Sequence, residues 1–443
     1  MKNKIYSLIT ASAVLFLSCE KDPETVYETI TVTETVVVTE TETVTVEVPA
    51  ATETPDTQTV GSGGITFIDD SQIWTNDRIW IMDGKVVVRD GGVLTIEPGT
   101  IVKAEDGQGV DATALVVARG GTLFANGTAS EPIVFTAISD NLSYDNSDRL
   151  SPNLTASTRG LWGGVILLGK ATTGTDTGTA LIEGIAAGYT WTEYGGSLDA
   201  DSSGSLTYVS IRHNGTELGN GDEIQGLTMG GVGSGTTIEN IEIMGSNDDG
   251  IEIFGGTVNV TNLTIYDVRD DAIDLDQGYS GTITNAAVQL GQISDTAFEI
   301  DGTEDSTDVL DGQYTVNGVT VILPAGMDDT TAFGDWKDGA TGANQNIAFT
   351  GAGVSEQRFE EIHAATYSAT ATANAKNTLW FSSVEIVAST GTAASYLGSG
   401  QSSDDNTSHT GDSPSWLSVV TTATTGASDL SVMSWTAWYK LTQ

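Results

Sequence analysis

A hexapeptide pattern that returns every 22 or 23 residues constrains this chain more than any other feature. Ile238-Glu-Asn-Ile-Glu-Ile243, Val260-Thr-Asn-Leu-Thr-Ile265 and Ile283-Thr-Asn-Ala-Ala-Val288 are its clearest copies, with looser ones at 206–211 and 315–321. A second pattern runs in phase with the first: Asn247-Asp-Asp-Gly-Ile-Glu-Ile253, Arg269-Asp-Asp-Ala-Ile-Asp-Leu275 and Ser294-Asp-Thr-Ala-Phe-Glu-Ile300. A unit this short cannot bury its own apolar face and must stack on its neighbours. Alternating Ile, Val and Thr give the strands, and 52 glycines supply the turns. Such a chain is predicted to form a right-handed parallel β-helix, one coil per repeat, over residues 65–340. The short apolar runs at 85–88, 114–118 and 132–136 are its earlier coils. Residues 341–443 are predicted to supply terminal coils and a cap over the open core, built with Trp380, Phe381, Trp416, Trp435, Trp438 and Tyr439.

Stacking makes residues one repeat apart direct neighbours, at a coil spacing of ~4.8 Å. Asn240, Asn262, Asn285 and Asn317 are then predicted to form an amide ladder at a bend. Ile251, Ile253, Ile273, Leu275, Phe298 and Ile300 point inward. Between them Glu252, Asp274 and Glu299 lie above one another on the outside, joined by Asp276 and Asp301. Asp248, Asp270 and Asp295 form another column at the preceding turn, beside Asp249 and Asp271. Like charges so close repel and raise one another's pKa unless a cation sits among them. The readings are solvated acidic turns or a calcium site of hard oxygen ligands, with catalysis as a third. Asp199, Asp201 and Ser203 resemble the opening of a calcium loop but lack a carboxylate at its twelfth position.

The N-terminus points outside the cytoplasm. Lys2 and Lys4 precede an apolar run from Ile5 to Leu17, and Ser18-Cys19 then reads as a lipoprotein processing site after residues 1–18. Acyl chains on Cys19 would anchor the chain to the outer membrane. Residues 19–64 alternate Thr with Val, Ile or Glu and then loosen, which predicts an extended stalk and linker. Sixty acidic against seventeen basic residues give a formal charge of −43, which excludes nucleic acid as a partner and favours divalent cations. With no second cysteine, no disulfide within the chain is possible.

Two resemblances add to this. Asn247-Asp-Asp-Gly-Ile-Glu followed by Asp270-Asp-Ala-Ile-Asp resembles the paired aspartate motifs of the polygalacturonase family of β-helical glycoside hydrolases. That likeness implies Asp249, Asp270 and Asp271 as the carboxylates of an inverting hydrolysis. The family's Gly-His-Gly and Arg-Ile-Lys motifs have no counterpart here, and His363 and His409 are expected outside the repeat. For a lyase, Arg269 or Arg212 with His213 would be the nearby bases. Over residues 70–335, segments such as Leu94-Thr-Ile-Glu-Pro-Gly-Thr and Gly160-Leu-Trp-Gly-Gly-Val-Ile resemble the β-helical cell-surface lipoproteins of Bacteroidota, often encoded near TonB-dependent transporters. Cys19-Glu-Lys-Asp-Pro-Glu also resembles the acidic tag that directs such lipoproteins to the cell surface. These features favour a surface module binding a glycan or other nutrient, as an accessory to an outer-membrane transporter. A polysaccharide hydrolase or lyase and a calcium-stiffened structural or adhesive spine are the alternatives. Trp74, Trp80, Trp162 and Trp191 are candidates either for sugar stacking or for core and end-capping roles.

Overall fold

The computed structural model describes residues 56–442 apart from 186–187, 220–221, 305–311, 328–331, 356, 364, 369–376 and 398–413. Cys19, its signal segment, the stalk up to residue 55 and His409 lie outside the described residues.

Among the described residues, twenty-three strands join in one sheet, and every pairing in it is parallel, so the chain winds as a β-helix with three walls. In the early coils the first wall is made by Ser71–Trp74, Val93–Ile96 and Thr122–Asn126, and the second by Ile101–Ala104 and Ile133–Ala137. The third wall runs from Ala114–Val117 and Val165–Leu168 through Leu227–Gly230, Ile251–Phe254, Ile273–Asp276 and Phe298–Ile300 to Gly334–Trp336 and Phe359–Ile362. From Gly204–Arg212 onward one long strand serves the first two walls, pairing with Thr122–Asn126 before Tyr208 and with Ile133–Ala137 after it.

Each long strand bends at one left-handed residue. These are Tyr208 (φ 52°), Asn240 (56°), Asn262 (57°), Asn285 (59°), Gly318 (78°), Asn346 (53°) and Ser383 (55°). Asparagine tolerates this conformation better than most residues with a Cβ. It also makes the ladder: Asn262 Nδ2 donates to Asn240 Oδ1 at 3.0 Å, and Asn285 Nδ2 to Asn262 Oδ1 at 2.7 Å. The expected fourth rung is displaced. Thr284 pairs with Asn317 and Ala286 with Val319, so Gly318 takes the bend and Asn317 stands one residue before it. Glycine needs no side chain to hold a positive φ, so the ladder breaks there. The Oδ1 of Asn285 accepts instead from Ser428 Oγ and the Asp429 amide, both at 3.0 Å, and Asn346 Nδ2 donates to Asn317 Oδ1 at 2.8 Å.

The interior is a continuous apolar stack from Ile68 to Leu417, in which Ile251, Ile253, Ile273, Phe298 and Ile300 are fully inaccessible. Trp74 and Trp162 belong to this core, and Trp80 stacks on Trp74 at 5.2 Å. Towards the last coils the filling turns aromatic: Phe298, Phe333, Trp336, Phe349, Phe359, Phe381 and Trp416 contact one another in sequence.

Three boundaries differ from expectation. Thr57–Ile68 pairs with Ile79–Val88, so the coils begin inside the expected linker. They also run past residue 340, through Gly342–Thr350 and Leu379–Val387 to Leu417–Val420. The final segment is a strap rather than a lid over the open core. It starts with Thr424 N on Glu385 at 2.6 Å and passes Ala427 N on Thr320 Oγ1 at 2.9 Å. It ends with Trp438 N on Glu242 at 2.8 Å and Trp435 edge-on to Tyr208. Its Met433 and Trp438 bury Ala287 on the outer face of the second wall, an apolar patch that competes with the open end for cover.

Candidate functional site: an acidic wall

The third wall places carboxylates where the repeat predicts them. Register carries the outward position from Thr228 through Glu252, Asp274, Glu299 and Asp335 to Glu361. Two residues further along each strand, Asp276, Asp301 and Lys337 follow one another, as the pairings of Leu275 with Ile300 and of Ile300 with Trp336 require. At the turn before the strand stand Asp248, Asp270 and Asp295, with Asp249, Asp271 and Thr296 beside them.

Most of these carboxylates are not solvated turn tips, Asp295 being the open one. Asp249, Glu252 and Asp274 are only 6%, 5% and 7% exposed. Glu183, from the excursion between 169 and 201, and Glu223, from the hairpin of Thr216–Gly219 with Asp222–Ile224, add their charge to the same cleft. Asp249 and Asp271 also stitch successive turns together. Asp249 Oδ1 accepts the Asp271 amide at 2.9 Å, and Asp271 Oδ1 accepts the Thr296 amide at 2.7 Å. By contrast Glu252 Oε2, Asp274 Oδ1, Asp301 Oδ1, Asp335 Oδ1 and Glu361 Oε2 are buried with no hydrogen-bond partner. A buried acceptor left so costs ~1–3 kcal/mol.

Electrostatics agree. Burial, then repulsion from neighbouring carboxylates, pushes Asp249, Glu252 and Asp274 well above the usual carboxylate range. The same causes raise Asp248 to about 9, and burial with Asp276 nearby raises Asp301 to about 8. Burial and Glu299 lift Asp276 and Asp271, the first to about 7. Glu299 is the exception: burial pushes it up, but the Asp271 carboxyl hydrogen-bonded to it and the Lys337 ammonium hold it below its ordinary value. Lys337 pairs with Glu299 and lies 3.9 Å from Asp301 Oδ2. Burial would lower its pKa, but Asp301, Glu299 and Asp335 together hold it above the ordinary lysine value.

Three sets of oxygens converge to within 4.8 Å: Asp248 with Asp249 and Asp270, Asp249 with Glu252 and Asp274, and Asp270 with Asp271 and Asp295. Hard, closely spaced oxygens of this kind suit calcium. The second set fits best, because two of its residues, Glu252 and Asp274, carry a buried oxygen with no hydrogen-bond partner.

The structure redistributes the other expected site residues. Asp249, Asp270 and Asp271 come together, but Asp249 and Asp271 are engaged by backbone amides. The set that joins Asp249 to Asp270 is also tighter than the ~6.5–9.5 Å that an inverting pair leaves for water. Arg212 and His213 are on another wall. Arg212 is buried against Glu242 at 3.3 Å beneath the C-terminal strap, and His213 Nδ1 meets Thr158 O at 2.8 Å. They leave the site because the second half of Gly204–Arg212 belongs to the second wall. Arg269 stands exposed at the rim, 3.8 Å from Glu217. Asp199 and Asp201 join no converging set: each gives an oxygen to a backbone amide, of Thr172 at 3.0 Å and of Lys170 at 2.9 Å, which pins the start of the excursion. Ser203 is buried, its amide bonded to Thr236 Oγ1 at 2.8 Å.

Two residues on this wall were not foreseen. Lys337 follows Asp276 and Asp301 in register, and His363, expected outside the repeat, directly follows the third-wall strand Phe359–Ile362. The 35 residues between Asp301 and Lys337 hide that register in the sequence, and only the Gly334-Asp-Trp-Lys run hints at it.

No curated protein and no solved structure matches this chain. The model of the pectate-lyase like beta helix domain matches residues 66–438, nearly the whole of the coiled region, and the chain belongs to that family.

Proposed function

We propose that the protein is a surface-anchored β-helix that holds calcium on its third wall and captures an anionic polysaccharide through the ion. One observation carries this reading: Glu252 and Asp274, each with a buried partnerless oxygen, share one converging set with Asp249. Calcium takes six to eight oxygens, more than three side chains supply unless some bind bidentately, so positions stay open for carboxylate and hydroxyl oxygens of a uronate chain. A chain of charge −43 repels a polyanion unless such a cation bridges them. A pectate-like polymer matches both the family and this chemistry. Anchoring through Cys19, and delivery to a neighbouring outer-membrane transporter, complete the proposal.

Cleavage of the bound polymer is the second reading, and Lys337 favours it, since β-elimination needs a base near the bound uronate. The carboxylates around Lys337 keep it protonated, which suits charge neutralisation better than proton abstraction. Equilibrium dialysis of the full chain against calcium tests the capture reading. Uptake that is lost in a Glu252→Gln, Asp274→Asn variant is the expected result, and equal uptake by both proteins would overturn it. Unsaturated products from polygalacturonate, absent in Lys337→Met, would move the assignment to a lyase.

A further inference from the structure

We propose that a cavity on the early coils is a second, calcium-independent site that takes a neutral, hydroxyl-rich saccharide. The cavity, of about 430 Å³, falls within the ~300–1,000 Å³ range of small-ligand pockets and is lined by Asp69, Arg89, Asp90, Arg119, Thr190 and Trp191. Both guanidinium groups are fixed in advance. Arg89 donates through Nε and Nη2 to the two oxygens of Asp69 at 2.6 and 2.5 Å, and its guanidinium lies 4.0 Å from the centre of the Phe67 ring. Arg119 pairs with Glu193 and donates through Nη1 to Gly195 O at 3.0 Å. Trp191 is 9% exposed and its Nε1 has no hydrogen-bond partner, while Tyr189, 41% exposed, stacks on it at 5.2 Å.

This chemistry differs from that of the acidic wall. Two carboxylates face two guanidinium groups, so the lining is balanced in charge and selects neither ion. Carboxylate acceptors and guanidinium donors line it together, which matches sugar hydroxyls that donate and accept at once, and the rim of the Trp191–Tyr189 stack adds apolar surface. Gly120 fits this reading: at φ 87° it leaves room for Asp90, whose Oδ1 would lie 1.9 Å from a Cβ added there. The two sites share the third wall, since register runs from Val117 through Leu167 and Met229 to Ile253. Three coil steps at ~4.8 Å put them on the order of 14 Å apart. The excursion that packs Ile182, Trp191 and Tyr194 on Ile166 and Phe254 stands between them.

The test uses the full chain in detergent with EDTA, so that the calcium reading cannot affect it. Tetraoses of β-1,4-glucan, xylan, mannan and galactan are titrated in turn by calorimetry, with tryptophan fluorescence as a second signal. At least one is expected to bind, with affinity reduced about tenfold or more in Asp90→Ala and in Arg119→Met. Asp90 is exposed, so its variant should keep the wild-type melting temperature and report on binding alone. Absence of binding by all four sugars, binding that survives both variants, or preference for tetragalacturonate in EDTA would each overturn the proposal.

Discussion

Replacing Asp274 by Asn should stabilise the calcium-free protein and lose most of that advantage once calcium is added. Asp274 shares a converging set with Asp249 and Glu252, each offering an oxygen within 4.8 Å of the others. At an effective dielectric of ~20, two unit charges at that separation repel by roughly 3.5 kcal/mol, and partial protonation of the set reduces what is realised. Removing one carboxylate should therefore stabilise the calcium-free protein at pH 8 by about 2–4 kcal/mol. The compact unit Thr54–Gln443 has 390 residues. At ~2.1 cal/mol/K per residue its unfolding entropy is about 0.8 kcal/mol/K, so the gain is about 2–5 °C in melting temperature. In calcium at about 100 times its dissociation constant, wild type should gain ~2.7 kcal/mol, or about 3 °C, from the site, and the variant little. Differential scanning calorimetry in EDTA and in calcium reads both shifts. A variant that melts below wild type in EDTA, or that gains as much from calcium, would refute the reasoning.

Three further outcomes follow from the same structure. In EDTA the melting temperature should fall as pH rises from 5 to 8.5, because Asp295, Asp335 and Asp301 are raised to about 6, 7 and 8 chiefly by burial. A carboxyl with a raised folded pKa stabilises below its unfolded value near 4 and loses that contribution as pH climbs through the folded one, so a flat or rising profile would contradict the assignment. Asn262→Ala should cost about 2–5 kcal/mol, from ~1–2 for the left-handed bend and ~0.5–1.5 for each of two ladder bonds, whereas Asn262→Gly should keep the first part; urea unfolding separates them. Arg212→Leu should cost roughly 3–5 kcal/mol by leaving Glu242 buried and uncompensated, and Glu242→Gln in the same chain should restore part of it in the same assay.

Where the repeat was regular, both fold and site were legible. The alternation in Ile251-Glu-Ile and Ile273-Asp-Leu fixes which side chains face out, so the acidic columns could be drawn before any coordinates. The added charge of Glu183 and Glu223 could not, because they arrive from excursions with no repeat of their own. The asparagine ladder was readable to Asn285 and misread at Asn317, since the bend slips by one residue to a glycine that carries no side-chain signal. Lys337 escaped notice because a long insertion separates it from Asp301. Arg212 was misplaced for a related reason: it lies near the acidic turns in sequence, but the bend at Tyr208 carries it to another wall. The C-terminal strap has no periodicity, and its target on the second wall appears only once the coils are stacked.

Calcium-dependent capture is tested most directly by calorimetric titration of polygalacturonate into the full chain, once with calcium and once with EDTA. The account predicts saturable binding in calcium that vanishes in EDTA and in the Glu252→Gln, Asp274→Asn variant. Binding of equal strength in EDTA, or binding in calcium that the variant retains, would contradict it.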